Sequence, residues 1–181
     1  MTTAFLAESM RAHGYHVIEG PATPISGGAA DSRLTQPGDL FAAFRGERLD
    51  GNDFVDEALE RGAPAAVCER APEGDWRNRT VAVVGDTRTA MAELARDWLR
   101  TCDVRVAGIT GTVGKTTAKE LTAAALSARF ATHHSPGNLN SREGLPLALM
   151  SLRRDHEVSV LEMAMDSEGE IAELCAIAEP S

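Results

Sequence analysis

Apolar residues in this chain come in short bursts whose spacing changes from one segment to the next. Residues 38–44 (GDLFAAF) and 64–68 (PAAVC) are continuous apolar runs bounded by Gly, Pro and charged residues, the pattern of buried strands. Between them Val55, Ala58 and Leu59 recur at helical spacing, and Gly62 supplies a C-terminal stop. TVAVV at 80–84 predicts another buried strand. Met91, Leu94, Ala95 and Trp98 then mark the apolar stripe of a helix expected from Thr87 to Arg100. This first half reads as short strands and loops with one or two helices. Residues 101–105 read as a connection, which predicts two domains, over 1–102 and 103–181.

The second half alternates more regularly. VRVAGIT at 104–110 is β-rich and runs into a Gly-rich turn, and a helix is expected from Lys115 to Ala128. A short segment at 130–132, a polar loop and a helix near 143–152 follow. VSVLEM at 158–163 predicts a buried strand, and a last helix covers 168–178. Strand–helix alternation of this kind implies α/β architecture with a parallel sheet flanked by helices. The chain stops at Ser181 directly after a helix, where such a sheet would be short of strands, so a truncated piece of a longer protein is expected.

Composition narrows the function. The 181 residues are 43% hydrophobic and 25% charged, enough for a packed core, and the 4% of aromatics means that core is aliphatic and alanine-rich. A net charge of −9 argues against a nucleic-acid surface, which needs clustered Lys and Arg, and leaves room for one locally positive pocket holding a small anion. Cys68, Cys102 and Cys175 are too scattered for a disulfide frame or a zinc site and read as small, buried, reduced thiols. The N-terminus lacks a basic region followed by an apolar core, and no apolar run approaches the roughly 18 residues of a membrane span. A soluble, cytoplasmic protein without a membrane partner is expected.

The strongest chemical signal is GITGTVGKTT at 108–117. It misses the strict GxxxxGK[ST] spacing by one residue, because Ile109 stands five before Gly114. The context is nevertheless that of a phosphate loop: a buried strand, a glycine turn, then Lys-Thr-Thr opening a helix. Gly111 and Gly114 let the backbone curl, with Thr112 and Val113 between them, so that successive N–H groups face phosphate oxygens. The helix start, at Lys115, Thr116 and Thr117, adds its positive dipole end. Lys115 would reach the β- and γ-phosphates and the Thr116 hydroxyl would face Mg²⁺. Only Lys115 and Lys119 among the 18 basic residues are lysines, so the one compact point charge in the loop is placed against the chain's own habit.

Three further segments carry candidates. Glu162 ends the strand VSVLE, at the carboxyl edge where open α/β sheets bind ligands, well placed for Mg²⁺ beside a phosphate loop on a neighbouring strand. Asn138 and Asn140, in SPGNLNSREGLP at 135–146, can bind ligand oxygens or simply make Asx turns. In DSRLTQPGDLFAAFRGERLDGNDF at 31–54, Ser32 and Arg33 can hold an anionic group, whereas Arg45 and Arg48 read as surface charges. His133 and His134 lack a third ligand at metal spacing and read as loop histidines.

Together these segments resemble the Mur ligases. DSRLTQPGDLFAAFRGERLDGNDF is similar to the family's N-terminal UDP-substrate domain, GITGTVGKTTAKEL to its ATP loop, and PGNLNSREGLPLALMSL and LEMAMDSEGEIAEL to the two motifs that follow. The wording GNLN and GEIAEL favours the members that add D-alanyl-D-alanine over those that add the third amino acid. Val113 replaces the usual Asn or Ser of the loop, Ala164 stands where Gly is common, and Asp166 and Ser167 replace an Asn-His pair linked to the metal site.

The resemblance implies a small mixed α/β N-terminal domain followed by the start of a parallel-sheet ATPase domain. It implies an ATP-dependent carboxylate–amine ligase of peptidoglycan synthesis, with UDP-linked muramyl peptide and D-Ala-D-Ala as substrates, monomeric at full length and inactive as this piece alone. Lys115 and Glu162 would be catalytic, Gly111 to Thr117 would bind ATP, and Thr116 and Glu162 would hold Mg²⁺. Asn138 and Asn140 would line the substrate side, and Ser32 and Arg33 the UDP pocket. A ligase for the third amino acid, or a non-catalytic nucleotide-binding module, are the alternatives.

Overall fold

The computed structural model describes residues 1–181, which divide into two units, Met1–Leu94 and Ala95–Ser181, with the boundary inside helix α3 (Thr87–Arg100). No helix is long and apolar enough to cross a membrane.

The first unit is built on a five-stranded sheet. Its strands are β1 (His16–Ile18), β2 (Gly27–Ala29), β3 (Asp39–Ala42), β4 (Ala65–Cys68) and β5 (Thr80–Val83), in the spatial order β1-β5-β4-β3-β2. Only β1 runs antiparallel to its neighbour. The run PAAVC becomes β4, flanked by β3 and β5 and buried at all four positions, as a parallel strand covered on both faces must be. Helix α1 (Thr3–Ala12) lies against β1 and β5, and α2 (Val55–Glu60) against β3 and β4. Phe41, Val55, Leu59, Val81 and a set of alanines form the core between α2 and the sheet. Gly62, at φ 105°, follows α2 as its stop.

The second unit carries a three-stranded, wholly parallel sheet in the order β6-β8-β7, from β6 (Arg105–Ile109), β7 (Thr132–His134) and β8 (Val158–Glu162). Helices α4 (Lys115–Ser127), α5 (Gly144–Leu149) and α6 (Glu170–Ala178) connect and cover it. Strand β8, the middle one, is buried along its whole length.

Three expectations need correction. Strand β6, expected to be buried, lies at the edge of its sheet and buries only Val106. Cys68 and Cys102 are buried, and burial pushes the Cys68 thiol up to about 12, but Cys175 is only half-buried on α6. His133 and His134 are not in a loop: they lie on β7, because the short segment begins at Thr132 rather than Phe130. His133 Nδ1 meets the Ser159 hydroxyl at 2.8 Å and Nε2 meets Ser151 Oγ at 3.0 Å. Ser151 Oγ already donates to the Ala148 carbonyl at 2.8 Å, so it accepts from Nε2–H, and Nδ1 accepts from Ser159. The ring is thus fully satisfied while neutral.

Burial, and secondarily the His156 ring 5.5 Å away, lower the His133 pKa from 6.5 to about 4. A depressed folded-state value means the unfolded chain binds the proton first as pH falls. Stability is therefore complete above about pH 6.5 and declines between there and about pH 4, by up to about 3 kcal/mol. In urea unfolding, the advantage of the parent over His133→Gln should shrink by that amount between pH 7.5 and 4. A constant difference would show that His133 does not titrate in this window.

Candidate functional site

The site grows from one register. Strand β6 pairs with β8 so that Ile109, its last residue, lies opposite Glu162, the last residue of β8. The chain leaves β6 into the turn 110–114 and re-enters regular structure as α4. Two glycines make that turn possible: Gly111 at φ 153° and Gly114, the residue before the helix, at φ 80°. Gly114 closes the first helical turn with its carbonyl, which accepts from the Ala118 N–H at 2.9 Å. No side chain caps α4, so the leading N–H groups of the helix face outward at its positive end. Lys115 Nζ folds back to donate to the Gly111 carbonyl at 2.9 Å, which lays the ammonium across the mouth of the turn. Thr116 and Thr117 are exposed on the first turn, and Val113, at the tip, is 87% exposed.

Glu162 is 2% exposed, and its two carboxylate oxygens differ. Oε1 accepts from Asn140 Nδ2 at 2.8 Å. Oε2 is buried without a hydrogen-bond partner, and the nearest cation, Lys119 Nζ, stands 3.9 Å away. The Glu162 backbone N–H donates to Ser135 Oγ at 3.1 Å, which fixes the end of β8 to the loop that follows β7. An anionic oxygen left unpaired in the interior is costly unless something positive approaches it. It lies on the strand next to the one that leads into the glycine turn, and a hard divalent cation is the kind of charge that would suit that donor.

The asparagines behave differently from each other. Asn140 is half-buried and its side chain is committed to Glu162, with its carbonyl accepting from the Ala164 N–H at 2.9 Å. Asn138 is exposed two residues earlier. The geometry therefore joins Gly111 to Thr117, Glu162 and Asn140 in the second unit. In the first unit, the buried Ser32 hydroxyl donates to Glu57 Oε2 at 2.7 Å. Arg33 is exposed and forks its guanidinium onto Asp31, with contacts of 2.9 and 2.7 Å. Sequence reasoning passed over Lys119 and Ser135 as site residues, and the rarity of lysine was the one signal pointing to the former.

A strand, a glycine turn, an uncapped helix and a carboxylate ending the adjacent parallel strand are the features with which α/β proteins can bind the phosphates of a nucleotide. Residues 109–181 match the family model described as "Mur ligase middle domain", and residues 24–99 match "Mur ligase family, catalytic domain". The chain belongs to the Mur ligase family. It is 39% identical over 158 residues to the UDP-N-acetylmuramoyl-tripeptide–D-alanyl-D-alanine ligase of Bacillus subtilis, covering 87% of this chain and 35% of that protein. Among solved structures it resembles the UDP-N-acetylmuramoylalanyl-D-glutamyl-2,6-diaminopimelate–D-alanyl-D-alanyl ligase of Acinetobacter baumannii, with TM-score 0.82, 32% identity, and coverage of 99% of this chain and 40% of that one. It also resembles the MurF ligase of Thermotoga maritima in complex with ADP, with TM-score 0.69, 39% identity, and coverage of 84% and 35%. The chain thus spans about a third of the length of the curated relatives it matches.

Proposed function

We propose that this chain is part of an ATP-dependent ligase of peptidoglycan synthesis that joins D-alanyl-D-alanine to a UDP-N-acetylmuramoyl tripeptide. The observation that carries the reading is the register placing Glu162 beside the phosphate loop, in a chain 39% identical to a ligase of that name. Residues 1–102 take the UDP-linked substrate and residues 103–181 take ATP. Three free thiols suit a cytoplasmic enzyme.

In the reaction the terminal carboxylate of the tripeptide attacks the γ-phosphorus of ATP and ADP departs. The dipeptide amine then attacks the acyl phosphate carbon, loses a proton, and expels inorganic phosphate. The residues of this chain supply electrostatics rather than bond-making groups. The amides of Gly111 to Thr117 cradle phosphate oxygens, and Lys115 balances charge on the γ-phosphoryl as it transfers. Thr116 and Glu162 would hold Mg²⁺, which would neutralise phosphoryl oxygens when bound. Asn140 keeps Glu162 turned toward the loop, and Asn138, free on the surface, faces the substrate.

The full-length protein, given Mg-ATP, the UDP-tripeptide and D-alanyl-D-alanine, should yield one phosphate and one UDP-pentapeptide per turnover. Product only from the UDP-dipeptide and a single amino acid would replace this reading with the third-residue ligase, and no product from either would leave a binding module.

Ser32 and Arg33 are assigned to the UDP pocket, where Arg33 can exchange its exposed Asp31 partner for a phosphate. The double variant Ser32→Ala, Arg33→Ala should lose about 10-fold in affinity for the UDP-linked peptide, the worth of one charge-assisted contact. Its ATP affinity should be unchanged. Calorimetry that gave equal affinities for the UDP-linked peptide would move the pocket elsewhere.

A further inference from the structure

Lys119 is one of two lysines in the chain and is 0% exposed. Burying an ammonium costs several kcal/mol unless its charge and its donors are matched. Here Nζ donates to the main-chain carbonyls of Ser135 at 2.8 Å and Gly137 at 3.0 Å. It also lies 3.1 Å from Glu120 Oε1 and 3.9 Å from Glu162 Oε2. Glu120 is drawn well below the usual carboxylate range by this neighbour.

The partners fall on different elements. Lys119 projects from the second turn of α4, the helix that the phosphate loop opens. Ser135 and Gly137 belong to the segment after β7, which reaches Glu162 twice, through Ser135 Oγ and through Asn140 Nδ2. One nitrogen therefore links the helix of the phosphate loop to the segment that orients the carboxylate. The distances also divide its roles. At 3.9 Å from Oε2 the ammonium offsets negative charge on Glu162 but is beyond hydrogen-bond distance, so that buried oxygen keeps its lone pairs unshared.

We propose that Lys119 is a positioning residue: it ties segment 135–140 to α4 and so sets the placement of Glu162 against the phosphate loop. The inference rests on the reading of this site as one for ATP and Mg²⁺. A lysine serving stability alone would be replaceable by an uncharged side chain of the same length without altering either neighbour.

Lys119→Met in the full-length protein makes that replacement. Amides of residues 135–140 should exchange with deuterated solvent about 10-fold faster in the nucleotide-free variant, with the first unit unaffected. The Mg²⁺ concentration that half-saturates ADP binding, followed by calorimetry, should rise about 10-fold, a loss of about 1.4 kcal/mol. That midpoint belongs to folded molecules, so a smaller folded fraction does not move it. Lys119→Arg retains charge in a slot it overfills and should fall between the two. If Lys119→Met does not fold, the Arg variant carries the test, with faster exchange at 135–140 expected. Exchange and Mg²⁺ midpoint both at parental values, in whichever variant folds, would overturn the proposal. Turnover surviving Lys115→Ala would instead overturn the nucleotide-site reading, whatever exchange at 135–140 shows.

Discussion

Replacing Lys115 by Ala in the full-length protein should reduce ligase turnover about 10³-fold, the cost of removing a preorganised positive donor from a phosphoryl-transfer site. The change should leave the fold almost untouched. Lys115 is on the outside of the turn and its hydrogen bond to the Gly111 carbonyl is exposed, so the loss in stability should stay under about 1 kcal/mol. Affinity for the UDP-linked peptide should also hold, because that pocket is assigned to the other unit. Phosphate release and calorimetry separate the two effects. Undiminished turnover would remove Lys115 from the nucleotide site and with it the assignment of the loop.

Glu162→Gln should act on the metal instead. The amide preserves shape and can still accept from Asn140, but it withdraws the anionic oxygen that faces inward without a partner. Half-saturating Mg²⁺ should rise more than about 10-fold, and turnover at saturating Mg²⁺ should fall about 10²-fold. The substitution also leaves Lys119 with one carboxylate fewer. Because Glu120 and two carbonyls remain around it, the destabilisation should be about 1–3 kcal/mol rather than the larger loss of an abandoned buried charge. A parental Mg²⁺ dependence would make Glu162 a structural residue.

Much of this was readable in one dimension. Strands β3, β4, β5 and β8 are apolar runs because parallel strands covered on both faces bury nearly every position, and such runs stand out against charged surroundings. Strand β6, at a sheet edge with only Val106 buried, was legible instead from its β-rich composition and the glycine turn after it. Helices α3 and α4 likewise stand where periodicity and the glycine turn place them, within a residue at each end. Glu162 was legible because a carboxylate that closes a buried strand is conspicuous. Strands β1 and β2 were not: each is three residues long, and HVI and GGA carry no period to detect. Helix α1 buries Leu6, Ala7 and Met10, an apolar face of three residues in a stretch too short to show a clear period. The pairing of Asn140 with Glu162, 22 residues on, and of Lys119 with Ser135 and Gly137 arises only when α4 packs over β7 and β8. No local pattern announces a contact made by folding back.

The shape of the turn at 110–114 comes from handedness, and this changes what its tip residue is for. Gly111 and Gly114 occupy backbone conformations that L side chains rarely adopt, so the path between them is dictated by chirality rather than by side-chain bonds. Anion recognition in such a turn is a main-chain property, carried by N–H groups that every residue except proline owns. Val113 can therefore point 87% of its surface into water without removing a main-chain donor from the turn. A side chain at either achiral position would strain the turn, whereas the tip accepts an apolar one without cost to the main chain.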